Sequence, residues 1–298
     1  MTVKERINRF FRRLTVKKVI IGVLVYGWLG LMLVIVFTPV LWMISASFTD
    51  ATQLSQVPVI PKFSEWSIVN YKELFTEKST NTQAFSDYIQ AFLTTLMIAV
   101  TNTILVVSLS SLVGFAFSRY RFKGKKRVLL TMMGLQMFPS FMGMLALFMF
   151  FRQFGLLNNP FALTLIYVAG SIPYNTFIVR GFMRNIPKSL DEAAAIDGAT
   201  NLQVLIRIII PLAVPIMGFI AVNAFMQPWL DYILPSVIMP QRDTVAIWLF
   251  RFMDPLGHEY DPIKFMTGAL FLAVPIMLVQ IYMQKYLVYG LTQGAEKG

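Results

Sequence analysis

The chain has 298 residues, 56% hydrophobic and only 14% charged, with a net charge of +11. Ordinary soluble domains hold about 25% charged residues, and the apolar residues here cluster into stretches long enough to cross a bilayer, so a soluble domain is excluded. With no cysteine, disulfides, thiolate nucleophiles and thiolate metal sites are excluded as well.

In residues 1–18, Ile7, Phe10, Phe11 and Leu14 fall at helical spacing among Lys4, Arg6, Arg9, Arg12 and Arg13. That pattern predicts an amphipathic helix on the inner membrane surface. The uncharged run over 19–49 is too long for the apolar region of a signal peptide, and no small-residue cleavage site closes it. It is read as a retained first span, at about 19–46. Further spans are expected at about 88–117, 128–151, 161–179, 208–230 and 265–284. Every Lys, Arg, Asp and Glu falls outside these six segments, as the cost of charge at mid-bilayer requires.

The connecting segments set the orientation. Those before span 1, between spans 2 and 3, between spans 4 and 5, and after span 6 hold 19 of the 26 Lys and Arg. The basic side faces the cytoplasm, which puts both termini inside. The net charge is thus a topology signal that also suits anionic headgroups, and no nucleic-acid partner is expected. Arg119, Arg121, Lys123, Lys125, Lys126 and Arg127 form a basic turn between spans 2 and 3. Two external segments are long, about 49–87 and 231–264. The second contains Trp248, Phe250, Phe252, His258 and Tyr260, which points to docking rather than plain linking. Residues 19–298 form one membrane domain without an internal repeat.

The cytoplasmic segment over about 180–207 carries the sharpest signal. Pro187 ends what precedes it. Ser189 is expected as an N-cap, with Glu192 three residues on completing a capping box. Asp191 and Glu192 suit a helix N-terminus, Ala193, Ala194 and Ala195 favour helix, and Gly198 suits a left-handed stop. A short capped helix with a small alanine face follows, suited to docking another protein.

These residues resemble the signature of bacterial ABC importer permeases. In that pattern Glu-Ala-Ala is followed after three residues by Gly and after nine more by Ile-x-Leu-Pro. Here it reads Glu192-Ala193-Ala194, Gly198, then Ile208-Ile209-Ile210-Pro211, with Ile210 where leucine is usual. The six spans and the C-terminal run from Leu287 through Tyr289, Gly290 and Gly294 to Gly298 look like the smaller partner of the maltose-type carbohydrate permease pair.

The resemblance implies a type I ABC importer permease fold, all α-helical, in a bacterial plasma membrane. It implies a heterodimer with a related permease, two ATPase subunits that bind ATP and Mg, and an external solute-binding protein. Ser189, Leu190, Glu192, Ala193, Ala194, Ile196 and Gly198 would couple to the ATPase. No phosphate-binding loop of the G-x-x-x-x-G-K-[S/T] form occurs, so no cofactor is expected in this chain. His258 is the single histidine, and no catalytic or metal set can be assembled. Pro211, Pro215 and Pro228 each remove a backbone hydrogen bond, which makes span 5 a candidate pathway helix. Asn223, Gln227, Trp229 and Tyr232 near its outer end combine amides with aromatics, the chemistry that sugars need. Other readings stay open: a stand-alone secondary carrier, a scaffold without transport, or an importer permease for a non-sugar solute.

Overall fold

The computed structural model describes residues 16–51, 53–60, 63–79 and 84–295. The expected surface helix over 1–18 falls almost entirely outside them. The described residues are helical, with one isolated bridge between Thr49 and Trp66 and no strand. The helices are α1 (Val16–Ser47), α2 (Val69–Thr76), α3 (Asp87–Arg119), α4 (Lys125–Gln136), α5 (Met144–Gln153), α6 (Pro160–Asn185) and α7 (Ser189–Ile196). They continue as α8 (Asn201–Leu230), α9 (Ile233–Ile238), α10 (Val245–Met253) and α11 (Pro262–Ala295).

Among the described residues five helices are long and apolar enough to cross a membrane: α1, α3, α6, α8 and α11. A sixth span exists only if α4 and the segment Phe141–Gln153 count as one, and these meet at 83°. The span expected at about 128–151 is thus not one continuous helix but two helices with a sharp bend between them. Pro139 has no N–H to donate and drives Phe138 out of the helical region, so the ladder cannot run through. Pro139 is itself extended, and a 3₁₀ turn at Ser140–Gly143 restarts the helix at Met144.

The chain forms two compact units. The first comprises residues 1–72 and 262–270. Over much of its length α1 exposes apolar side chains, among them Val23, Leu24, Tyr26, Trp28 and Val34. Bilayer stabilises such a surface and water does not. The end of α1 is closed locally. Asn70 Nδ2 donates to the carbonyls of Ala46, Ser47 and Thr49 at 3.0–3.3 Å, tying the end of α1 to the start of α2. Phe48 stacks on Trp66 at 4.6 Å.

The second unit, residues 73–261 and 271–298, is built on α3, α6 and α8. Ser86 caps α3 by accepting from the Ile89 N–H, and Asn159 caps α6, whose first residue is Pro160. The core between these helices joins Val106 and Phe115 of α3, Val179 and Met183 of α6, and Ile209, Ile216 and Ile220 of α8. Deep in it, Asn102 Nδ2 donates to the Ala224 carbonyl at 2.8 Å, a polar cross-link of the kind that holds helices together in lipid.

The last two long helices overrun the expected spans. Helix α8 starts at Asn201 rather than near 208, and α11 extends to Ala295 rather than 284. Near its start α8 contains a π turn, Leu205–Ile209, in which the Ile210 N–H reaches the Leu205 carbonyl. Pro211 follows at once. The wider turn ends just before the residue that could not have continued the ordinary ladder.

Candidate functional site

Helix α7 lies between α6 and α8 at the basic end of the bundle. Its end matches expectation in detail. Gly198 has φ +79°, the Gly198 N–H reaches the Ala195 carbonyl at 3.1 Å, and the Ala199 N–H reaches the Ala194 carbonyl at 2.9 Å. These two bonds form a Schellman stop, which needs a left-handed residue at this position.

Its start does not match. Lys188 already has helical dihedrals, and no side chain caps the helix. Ser189 is therefore inside the first turn rather than at the N-cap, and the expected Ser189–Glu192 capping box does not form. The box sits instead at the start of α8. Thr200 Oγ1 accepts from the Gln203 N–H at 3.4 Å, and Gln203 Oε1 accepts from the Thr200 N–H at 2.7 Å. Thr200-x-x-Gln203 carries the same sequence signal and was legible. Thr200→Ala is expected to lower stability by about 1 kcal/mol, read as a fall in the unfolding midpoint, with Thr200→Ser close to wild type.

The faces of α7 divide sharply. Ala194 is buried in the core beside Ile186, Val204 and Leu205. The expected contact role of Ala194 is thus corrected: the small residue lets α7 pack closely on its own bundle. Ala193 and Glu192 are exposed, as are Leu190 and Ile196, and Ile196 is 87% exposed. Two large apolar side chains held out at a polar end form the surface that a partner would cover.

A residue that sequence reasoning took for one of a basic turn anchors this helix. Arg119, the last residue of α3, has a side chain only 8% exposed, and its Nε lies 2.5 Å from Asp191 Oδ2. The same guanidinium donates to the carbonyls of Met183 at 3.1 Å and Ile186 at 3.2 Å. It thus satisfies acceptors at the C-terminus of α6 and opposes that helix's dipole. One side chain pins the ends of α3 and α6 to the first turn of α7.

At the opposite end, the four residues proposed for solute contact are not equivalent. Asn223 is exposed, with its amide donating to the Phe219 carbonyl of its own helix at 2.8 Å. Gln227 Oε1 accepts from Ser171 on α6 at 3.3 Å. Tyr232 stacks on Phe250 at 4.0 Å. Trp229 is only 3% exposed, packed against Phe92 and Phe225. It is a core residue, which corrects its assignment to solute contact.

The aromatics of residues 231–264 divide in the same way. Trp248 and Phe252 are buried, with Trp248 edge-on to Tyr88 at 4.8 Å, while His258 and Tyr260 stay exposed. The Val245 N–H donates to Thr95 Oγ1 at 2.9 Å, which ties α10 to α3. Arg251 pairs with Asp243 at 2.5 Å and lies 3.6 Å from Glu259. Burial pushes the Asp243 carboxyl above the usual carboxylate range, although Arg251 pulls it down.

Comparison with known proteins identifies the family. Residues 107–291 match the family described as "binding-protein-dependent transport system inner membrane component". The chain belongs to this family. Over 92% of its length the permease is 36% identical to the galactooligosaccharides transport system permease protein GanQ of Bacillus subtilis, covering 94% of that protein. It is 32% identical to the maltodextrin transport system permease protein MdxG of the same organism, over 92% of this chain and 95% of the other. Among solved structures, a bacterial ABC transporter involved in the import of the acidic polysaccharide alginate superposes with a TM-score of 0.71 over 92% of the permease and 98% of that chain. The two are 22% identical, and the likeness is one of fold. The permease is therefore a multi-pass, non-catalytic membrane subunit of an ABC transporter with the fold of importer permeases.

Proposed function

We propose that this permease forms half of the membrane channel of a carbohydrate importer, paired with a related permease in a bacterial plasma membrane. It spans the bilayer six times, counting α4 and α5 as one broken span, with both termini in the cytoplasm. Two ATPase subunits bind ATP and Mg at the basic end, and an external solute-binding protein delivers the sugar to the other. ATP binding moves α7 as a rigid body, and the spans rock between inward-open and outward-open states.

The observation that carries this reading is α7 itself: short, pinned by Arg119, and presenting Leu190 and Ile196 outward. A lever of this kind transmits displacement only if it cannot bend against the body it moves. Ser189, Glu192 and Ala193 flank the exposed pair, and Gly198 returns the chain to α8. The carbohydrate assignment is supported by relatives named for galactooligosaccharides and maltodextrin. Asn223, Gln227 and Tyr232 are the side chains proposed near the solute, and His258 and Tyr260 those proposed toward the binding protein.

Co-purification from native membranes tests the arrangement. Gly198→Asp forces a side chain into a left-handed position that costs an L-residue about 1–2 kcal/mol and adds a charge beside the docking surface. Wild type should bring down a second permease and an ATPase, and the variant should keep the permease and lose the ATPase. Wild-type chain that purifies alone and moves solute in liposomes would establish a stand-alone carrier instead.

A further inference from the structure

At the basic end of the bundle lies a cavity of about 350 Å³ that the transport cycle leaves without a role. Arg119 and Arg121 line it from the end of α3, Lys125 from the start of α4, Arg180 and Arg184 from α6, and Lys188 from just before α7. No carboxylate lines it. Among the described residues the ion pair recorded at this end is Arg119 with Asp191, while Lys125 Nζ donates to the Tyr120 carbonyl and Arg180 Nε to that of Phe117. Six cations drawn to one pocket from separate helices repel one another. Such a cluster is stabilised by a multivalent anion, and guanidinium forks fit phosphate oxygens in pairs.

A second cavity, of about 760 Å³, adjoins the first, sharing Lys125 and Arg180. Phe122, Leu129 and Leu130 give it an apolar stretch beside Lys123, Lys126 and Arg127. Leu130 is 56% exposed. A basic pocket continuous with an apolar groove, at the ends of apolar helices, has the two-part chemistry of an amphiphile.

We propose that the two cavities together bind one anionic glycerophospholipid, its phosphate in the basic pocket and an acyl chain along Leu129 and Leu130. Basic pockets between membrane helices on this side suit such headgroups. A soluble phosphate compound would use the same cations but leave the apolar groove uncovered. The lipid would sit against Arg119, the residue that holds α7, and so would brace that junction. The inference rests on the basic end facing the cytoplasm, as in the proposed function, and is independent of which solute is carried.

The test uses the full-chain permease with whatever subunits co-purify, delipidated in detergent. It is titrated with cardiolipin, phosphatidylglycerol, phosphatidylcholine and pyrophosphate, and read by native mass spectrometry and by the thermal midpoint. Cardiolipin and phosphatidylglycerol should bind at one per chain and raise the midpoint, and phosphatidylcholine should not. The double variant Arg184→Gln/Lys188→Gln, at two exposed positions, should weaken cardiolipin binding about thirty-fold. Arg207→Gln removes a cation outside the pocket and should change nothing. Leu130→Asn should weaken lipid and leave pyrophosphate unaltered, which keeps the test valid if the double variant does not fold. Equal binding of phosphatidylcholine, or unchanged binding in the double variant, overturns the proposal. So does pyrophosphate binding as tight as lipid and insensitive to Leu130→Asn, which would identify a soluble phosphate ligand. Lipid binding that appears only after the ATPase is stripped away would make the pocket a protein contact and overturn it too.

Discussion

Arg119→Leu is expected to unfold the basic end of the permease and uncouple it from ATP. The substitution keeps apolar bulk but removes three interactions at once. The carboxylate of Asp191, 22% exposed, loses its counter-ion, and the carbonyls of Met183 and Ile186 lose the guanidinium that donates to both. Breaking one side of a buried ion pair costs about 3–5 kcal/mol, and the partial exposure of Asp191 places this case near the lower figure. In denaturant the midpoint should fall while the slope stays constant. Arg119→Lys should fall between, because one ammonium cannot reach a carboxylate and two carbonyls in the fixed geometry of a guanidinium fork. The double variant Arg119→Leu/Asp191→Asn should be less damaging than the two single changes added together, by about 1–3 kcal/mol. Additive losses would show that the two side chains do not act on each other. A variant that folds normally and still hydrolyses ATP in step with transport would remove Arg119 from the coupling junction.

Much of this protein is written in one-dimensional patterns, because bilayer thickness and the exclusion of charge act on contiguous residues. Spans α1, α3 and α6 follow directly from uncharged apolar runs, and the Gly198 stop follows from a glycine after a helix-forming stretch. The failures share a cause. Where two features compete locally, a run of apolar residues says nothing about which wins. Pro139 breaks the third span although every residue from 128 to 151 is uncharged. Ser189 and Thr200 each precede a Glu or Gln by three residues, and the backbone of Lys188 decides between them. Other failures concern partners distant in sequence. Nothing near Arg119 distinguishes it from the five other cations of its turn, because its partners lie 64–72 residues away. Trp229 looks like a sugar platform in its own segment. It is a core residue, and one of the rings that cover it, Phe92, lies on another helix 5.3 Å away.

Gly114 carries the second large effect, and the sign of its expected change runs against helix propensity. It lies in α3 where that helix crosses α6. A Cβ added there would lie 2.5 Å from Val179 Cγ1, 2.8 Å from Val179 Cβ and 3.3 Å from the Arg180 nitrogen. Val179 is fully buried, and its branched side chain has one preferred rotamer in a helix, so it cannot turn aside. In a helix interior Gly→Ala ordinarily gains about 1 kcal/mol. Here Gly114→Ala should instead destabilise, and Gly114→Val should do so by about 3 kcal/mol, because the helices must separate to admit it. Gly134 and Gly170 have open space where a Cβ would stand, so alanine at either should be neutral or stabilising. Thermal unfolding of the four variants in one detergent separates the two contributions. If Gly114→Ala behaves like Gly170→Ala, the close approach of α3 and α6 is absent in solution. If it destabilises and Val179→Ala restores part of the loss, the contact between Gly114 and Val179 sets how near the two helices come. The same contact then fixes the distance between Arg119 at the end of α3 and the carbonyls of α6 that it holds, and through them the position of α7.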